Sequence, residues 1–255
     1  MPGAVQSIER GASVLQLLSH GSGRLSVGEI ASSLDLAKGT VHGILRTLQG
    51  VGLIEQDGPT GRYQLGAALV PLAASYLNRH ELRARSINWA EALARHSGEA
   101  VRVGIPLAGR VLVVHHAFRP DDRLQTLDVG SRLPLHATAL GKVLLSHDPE
   151  LAGSLRRSDL EPFTRKTVAS LGALDRMLNK VREAGWAGED EEWIPGEAGV
   201  AAAVPGHGGV VAGAIGITGT RERIHDGRGG PNPQLITYVR DAARAISRDL
   251  GAGRW

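Results

Sequence analysis

The 255-residue chain contains no cysteine. Disulfides, thiolate metal sites and cysteine nucleophiles are excluded together. No apolar run approaches the ~20 residues of a membrane span. The first ten residues, Met1 to Arg10, have no apolar stretch of the kind a secretory signal needs. Both absences fit a cytoplasmic protein with no membrane partner. Lysine is scarce, occurring only at Lys38, Lys142, Lys166 and Lys180, so most of the cations are arginine. Charge of one sign is not in large excess: the formal net charge is +3, which permits a nucleic acid partner without demanding one. Internal repeats and low-complexity tracts are also missing.

Catalytic motifs are missing too. There is no Gly-x-Ser-x-Gly elbow, no Walker A loop and no His-Glu-x-x-His. Three glycines occur between Gly213 and Gly219, but at the wrong spacing for a dinucleotide loop and inside a strand pattern, where glycine serves close packing or ligand approach. His207-Gly-Gly209 resembles an oxyanion-hole motif and reads better as a hairpin turn. The acidic run Glu189–Glu192 is a candidate metal holder, weighed against a solvated edge, and no convergent histidines accompany it. The expectation is no catalytic residue, no metal and no cofactor. An enzyme with a winged-helix accessory domain is the alternative of a different class.

What is present is enough apolar residue, 42% of the chain, for one large domain or two small ones. Ser7 is positioned to cap a first helix carrying Ile8, Val14, Leu15 and Leu18. Ser26 and Glu29 form a capping box, in which hydroxyl and carboxylate satisfy each other's free amides. The helix it opens points Ile30 and Leu34 inward, and Asp35 sits in a tight turn. A third helix runs from about Ala37 to Gln49 on the stripe Val41, Ile44, Leu45 and Leu48. Two short strands, near 53–57 and 62–65, flank a Gly/Pro turn. Helix, helix, turn, helix, hairpin is the order of a winged helix-turn-helix. A connecting helix follows over about 66–79.

Beyond it the pattern is α+β with an antiparallel sheet. Strands are expected at 100–105, 110–117, 124–129, 200–204 and 211–218. Helices are expected at 138–146, 151–156, 171–183 with Gly185 as a stop, and from the Asn232-Pro233 cap onward.

Opposite its buried stripe the third helix carries Lys38, Thr40, His42, Arg46 and Thr47, which suit base edges and phosphates. Gly39 and Gly43 each cost roughly 1 kcal/mol of helix propensity, acceptable where a DNA backbone comes close. Arg62 on the wing is placed to reach a phosphate or the minor groove. Within residues 1–66 the cations Arg10, Arg24, Lys38, Arg46 and Arg62 are balanced by Glu9, Glu29, Asp35, Glu55 and Asp57. The DNA reading therefore rests on organisation rather than charge, and a protein-interaction winged helix stays open beside it.

The residues carry a resemblance. Ser7-Ile-Glu-Arg10, Lys38-Gly-Thr-Val-His42, Leu45-Arg-Thr-Leu48 and Gly61-Arg-Tyr-Gln-Leu-Gly66 resemble the N-terminal domain of the IclR family of bacterial transcriptional regulators. Pro134-Leu-His-Ala-Thr-Ala-Leu-Gly-Lys142, Glu189–Glu192 with Gly196, and Ala214-Ile-Gly-Ile-Thr-Gly219 are similar to its effector-domain signatures. Within the family, His42–Gln49, His80–Arg85 and Val114–Asp122 resemble a subgroup that controls glycerol-utilisation operons. The resemblance implies a winged helix-turn-helix over residues 4–66, a linker helix over 67–80 and a GAF-like effector domain over 81–252. It implies homodimers or homotetramers on near-palindromic operator DNA, and, for the subgroup, repression relieved by glycerol 3-phosphate or glycerol.

Carried over by position, the effector cup comprises Leu133, Ala139, Leu140, Glu189, Gly199, Gly216 and Thr218. Gly199 and Gly216 stand where relatives that bind small carboxylates carry a thiol or hydroxyl. More room follows, favouring a polyol or phosphate ester over a two-carbon keto acid. Arg102, His116, Arg123 and Lys142 are candidates to meet a phosphate. Each has a plainer reading: Lys142 as a solvated helix residue, and a strand histidine as a structural one. Only one of His115 and His116 can face inward, because strand neighbours alternate.

Overall fold

In the computed structural model the described residues are 5–19, 23–78, 80–121, 124–156, 160–227 and 229–252. The chain divides into two compact units at residues 79 and 80.

The first unit contains α1 (Gln6–Leu18), α2 (Val27–Leu34), α3 (Lys38–Gly50), β1 (Ile54–Gln56), β2 (Tyr63–Leu65) and α4 (Leu69–Asn78). Its core is Val14, Leu18, Ile30, Val41, Leu45, Ile54 and Tyr63. Truncating one of these, Leu45→Ala for instance, should cost ~2–5 kcal/mol. The capping box forms as expected: Glu29 N–H donates to Ser26 Oγ at 3.3 Å and Ser26 N–H to Glu29 Oε2 at 2.7 Å. Asp35 closes α2 in the left-handed region, at φ 50°. Ser7 does not cap α1. Val5 occupies the cap position, with no side-chain bond, and Ser7 already lies inside the helix.

The second unit opens with α5 (Glu81–Ser97), ended by Gly98 in the left-handed conformation. The sequence reading did not anticipate this 17-residue helix. Its buried residues include Ser86 beside Leu82, Ala90, Leu93 and Ala94, so the stripe is short of large apolar side chains. A six-stranded antiparallel sheet follows, in the order β5-β4-β3-β8-β7-β6. Its strands are β3 (Ala100–Leu107), β4 (Arg110–Ala117), β5 (Arg132–Leu133), β6 (Ala187–Asp190), β7 (Glu197–Pro205) and β8 (Val211–Thr220).

On one face α6 (Ala139–His147) packs against the sheet and against α8 (Leu171–Ala184), with α7 (Pro149–Leu155) beside α6. On the other, α5 packs with α10 (Pro233–Asp249), while α9 (Arg221–Ile224) lies against β7 and β8. Gly185 ends α8 in the left-handed conformation, and Asn232 caps α10 ahead of Pro233, as the local signals predict. His207–Gly209 is a short 3-10 turn between β7 and β8.

The expected strand at 124–129 is not a strand. The pairing residues of this region are Arg132 and Leu133, which meet Leu112 and Val111. Residues 124–129 are instead held by side chains: Arg102 Nε donates to Asp128 at 2.7 Å, and Gln125 bonds the backbone of Arg119.

Candidate nucleic-acid interface and ligand cavity

Helical period sorts α3 into two faces. Val41 and Leu45 are buried, Ile44 and Leu48 half-buried, and Lys38, Gly39, Thr40, His42, Gly43, Arg46 and Thr47 all exposed. A concavity on this face is lined by Gly39, His42, Gly43, Arg46, Gln49 and Tyr63. A Cβ at Gly39 or Gly43 would meet nothing within 4 Å, so internal packing does not require either glycine. Thr47 returns its hydroxyl to Gly43 O at 3.0 Å. Among the described residues Lys38 and Arg46 form no ion pair.

Arg62 is placed differently. It pairs with Glu29 at 3.0 Å and donates to Arg24 O at 3.0 Å. Glu29 thus serves both the capping box and the wing. Hydrogen bonds from Ser26 and the Arg62 charge hold its carboxyl below the usual range. Arg62 ties the hairpin to the start of α2.

In the second unit strand register builds a cup on the α6 side of the sheet. Glu189 lies opposite Gly199, and Gly199 opposite Thr218. One row over, Ala201 pairs with Gly216, Gly216 with Arg102, and Arg102 with His116. The signature segment closes it. Thr138 Oγ1 donates to Pro134 O at 2.7 Å and accepts from Gly141 N–H at 3.2 Å, capping α6. Gly141 is required here, because a Cβ would overlap the backbone of Leu135.

Between them lies a small cavity of about 20 Å³. Leu133, Ala139, Leu140, Glu189, Gly199, Gly216 and Thr218 all line it. So do Arg102 and Thr138, which the positional carry-over left out of the cup. Thr138 belongs to the same signature; Arg102, expected as a phosphate partner, reaches the cavity through its pairing with Gly216.

Glu189 is the buried charge of the cup. Its Oε2 accepts from Ala139 N–H at 3.0 Å, which satisfies one free amide of the α6 start. Burial nevertheless pushes its carboxyl up to about 7. Arg102 is fastened by Asp128, and Asp128 N–H donates to His116 Nδ1 at 3.1 Å. His116 is therefore the inward one of the histidine pair, but it does not line the cavity; it anchors the 124–129 segment. His115 lies beside Arg83 and Glu91 of α5, and burial lowers its pKa.

Two expectations are revised. Lys142 is not solvated: its ammonium is buried, bonding Gly188 O at 2.9 Å and pairing with Glu192. That spends its charge on the β6 turn and away from any ligand. Gly216 does not open space either. A Cβ there would lie 2.7 Å from Val200 O and 2.8 Å from Ala201 Cβ, so glycine permits close strand packing. At Gly199 the nearest atom would be Ile217 O, at 2.9 Å. Arg123 lies outside the described residues. Among those residues no group of three or more His, Asp and Glu is arranged to hold a metal, and no helix is long and apolar enough to cross a membrane.

Two family profiles match this chain. One, the IclR helix-turn-helix domain, covers residues 7–58, and the other, the bacterial transcriptional regulator IclR C-terminal domain, covers residues 74–248. The chain belongs to the IclR family of bacterial transcriptional regulators. It is 49% identical over 251 residues to the glycerol operon regulatory protein of Streptomyces coelicolor, covering 98% of each chain. It is 32% identical to the transcriptional repressor AllR of Salmonella typhi, covering 96% of this chain and 90% of the other. An IclR regulator from Alicyclobacillus acidocaldarius, 26% identical, superposes with a TM-score of 0.84 over 96% of this chain and 99% of that one. Membership makes this IclR-family chain a DNA-binding transcriptional regulator, not an enzyme, and gives its two units their roles: the helix-turn-helix for DNA, the C-terminal unit for an effector.

Proposed function

We propose that this chain is a cytoplasmic repressor of a glycerol-type catabolic operon, released from its operator when a small polyol or polyol phosphate fills the cup. The observation that carries this is the cavity chemistry. The Glu189 carboxyl, the Arg102 guanidinium and Thr218 line a small space whose other walls are largely aliphatic. A hydroxylated ligand satisfies each of these groups, and Arg102 suits a phosphate at one end. The likeness to a glycerol operon regulatory protein along nearly the whole chain supports glycerol 3-phosphate or glycerol as the occupant.

In this reading Lys38, Thr40, His42, Arg46 and Thr47 contact the operator, while Gly39 and Gly43 let the backbone approach. Arg62 holds the wing in place rather than ranging freely. Residues 67–80 link the two domains, and 81–252 form the effector domain. A homo-oligomer is supported by α4, which has no charged residue and leaves Val70, Leu72 and Tyr76 exposed. Apolar side chains grouped on one short helix mark an interaction surface.

The test is fluorescence anisotropy on DNA from upstream of this gene and of neighbouring glycerol-utilisation genes, at fixed salt. Tight binding released by glycerol 3-phosphate or glycerol is expected. Tight binding indifferent to both removes the glycerol assignment while keeping the regulator.

A further inference from the structure

β6 pairs with β7 only between Ala198 and Ala201. On that side, residues 202–205 of β7 have no strand neighbour among the described residues. A groove runs along this open edge, away from the effector cup. Small residues form its floor, Ala202 and Ala203 from the strand and Ala243 and Ser247 from α10. Ser247 Oγ donates to Pro205 O at 2.8 Å, which fastens the end of the strand to the helix.

The far wall is cationic. Arg240, Arg244 and Arg248 line the groove, joined by His147 from the end of α6, and among the described residues no acidic side chain lines it. Among the described residues Arg240 and Arg248 form no ion pair, and Arg244 reaches only Asp241 of its own helix, at 3.3 Å. Fourfold spacing on a helix places the three arginines on one face, ~6 Å apart and ~12 Å end to end. Pro205 has no N–H and its carbonyl is taken by Ser247, so residues 202–204 leave roughly 10 Å of open strand edge, and alternate side chains of an added strand recur every ~6.7 Å. The two repeats match. An extended segment lying on the β7 edge would bring every second side chain to an arginine.

We infer that this groove is a docking site for an extended acidic segment of a partner protein, which adds a strand to β7 and sets alternate carboxylates against Arg240, Arg244 and Arg248. Backbone pairing would supply affinity and the arginine row the choice of sequence. Exposed strand edges invite such pairing unless they are covered or guarded, and small floor residues let a backbone come close.

The probe is a fluorescein-labelled heptapeptide of alternating glutamate and valine, titrated onto the full chain at low and high salt. Two further copies carry N-methyl groups on alternate sets of amides, so that one or the other cannot donate to the strand edge. Saturable binding is expected, weakened at least about tenfold by Arg240→Glu with Arg248→Glu. It should be lost in one of the two methylated copies. Arg248 is exposed and Arg240 half-buried, and an unchanged melting temperature together with unchanged operator binding shows that the variant folds. Arg240→Gln with Arg248→Gln should give a smaller loss in the same direction.

No saturable binding, or binding indifferent to the arginines, overturns the inference. Equal binding by all three peptides reduces the groove to an anion site and overturns it as well. So does a drop in oligomeric state on charge reversal, seen by sedimentation, since the groove would then belong to a second copy of this chain.

Discussion

The two functional regions treat charge in opposite ways. On α3 the cations face solvent: Lys38 and Arg46 are exposed and form no ion pair among the described residues. In and around the cup the charges have internal partners: Arg102 has Asp128, Lys142 has Glu192, and Glu189 has the Ala139 amide. A surface awaiting a polyanion gains by keeping its cations unspent, because each phosphate contact releases counterions. A closed cavity gains from the reverse arrangement, since an unpaired charge out of water is costly. The same side chain type therefore has different work in each place, and exchanging them should expose the difference.

The largest effect is expected at Lys142. Lys142→Met strands Glu192 and should destabilise the chain by ~3–5 kcal/mol, read as a fall in denaturation midpoint. Lys38→Met should leave stability within ~0.5 kcal/mol and weaken operator binding, with a shallower salt dependence. Equal stability losses in the two variants would end the contrast.

Next comes Glu189, whose carboxyl is raised from 4.5 to about 7 in the fold. Between those values the unfolded chain gives up its proton while the folded chain keeps it. Stability should therefore fall as pH rises through that window and level off above about 7, by roughly 3 kcal/mol. In Glu189→Gln this part of the pH dependence should vanish, as melting temperatures from pH 5 to 8 would show. The effector response should change while operator affinity without effector stays as it was; a wild-type dose response would remove Glu189 from ligand contact.

Arg46→Ala should cost about 1–3 kcal/mol of operator affinity and nothing in effector binding. Unchanged anisotropy with this variant would displace α3 as the reading element. The smallest pair sharpens the comparison through glycine. Gly43→Ala meets open space and should stabilise α3 by up to about 1 kcal/mol while weakening DNA binding. Gly216→Ala meets Val200 and Ala201 and should destabilise by at least about 1 kcal/mol. A stabilised Gly216→Ala would mean that the strands have slack and that the cup can widen.

Much of this was legible in the residues. The α3 stripe, the capping box at Ser26, the Gly185 stop and the Asn232 cap are local signals, each set by neighbours within four residues, and each stands where it was expected. The seven residues assigned to the cup by likeness to signatures all line one cavity. What escaped was non-local. Helix α5 hides its stripe behind alanines and Ser86. The 124–129 segment has strand composition but spends its backbone and side chains on His116 and Arg102. Lys142 looks like any helix lysine until β6 is packed against α6.

The sequence by itself therefore determined the class of elements, the two-part organisation and the family, because periodicity, caps and short motifs are properties of contiguous residues. Only the tertiary structure decided which charges are spent and which are free. Arg62 is bound to Glu29, Lys142 to Glu192 and Arg102 to Asp128, while among the described residues Lys38, Arg46, Arg240 and Arg248 form no ion pair. The physical reason is that an ion pair is chosen by strand register and helix docking between residues 26 to 50 positions apart. No pattern within a single element contains that choice.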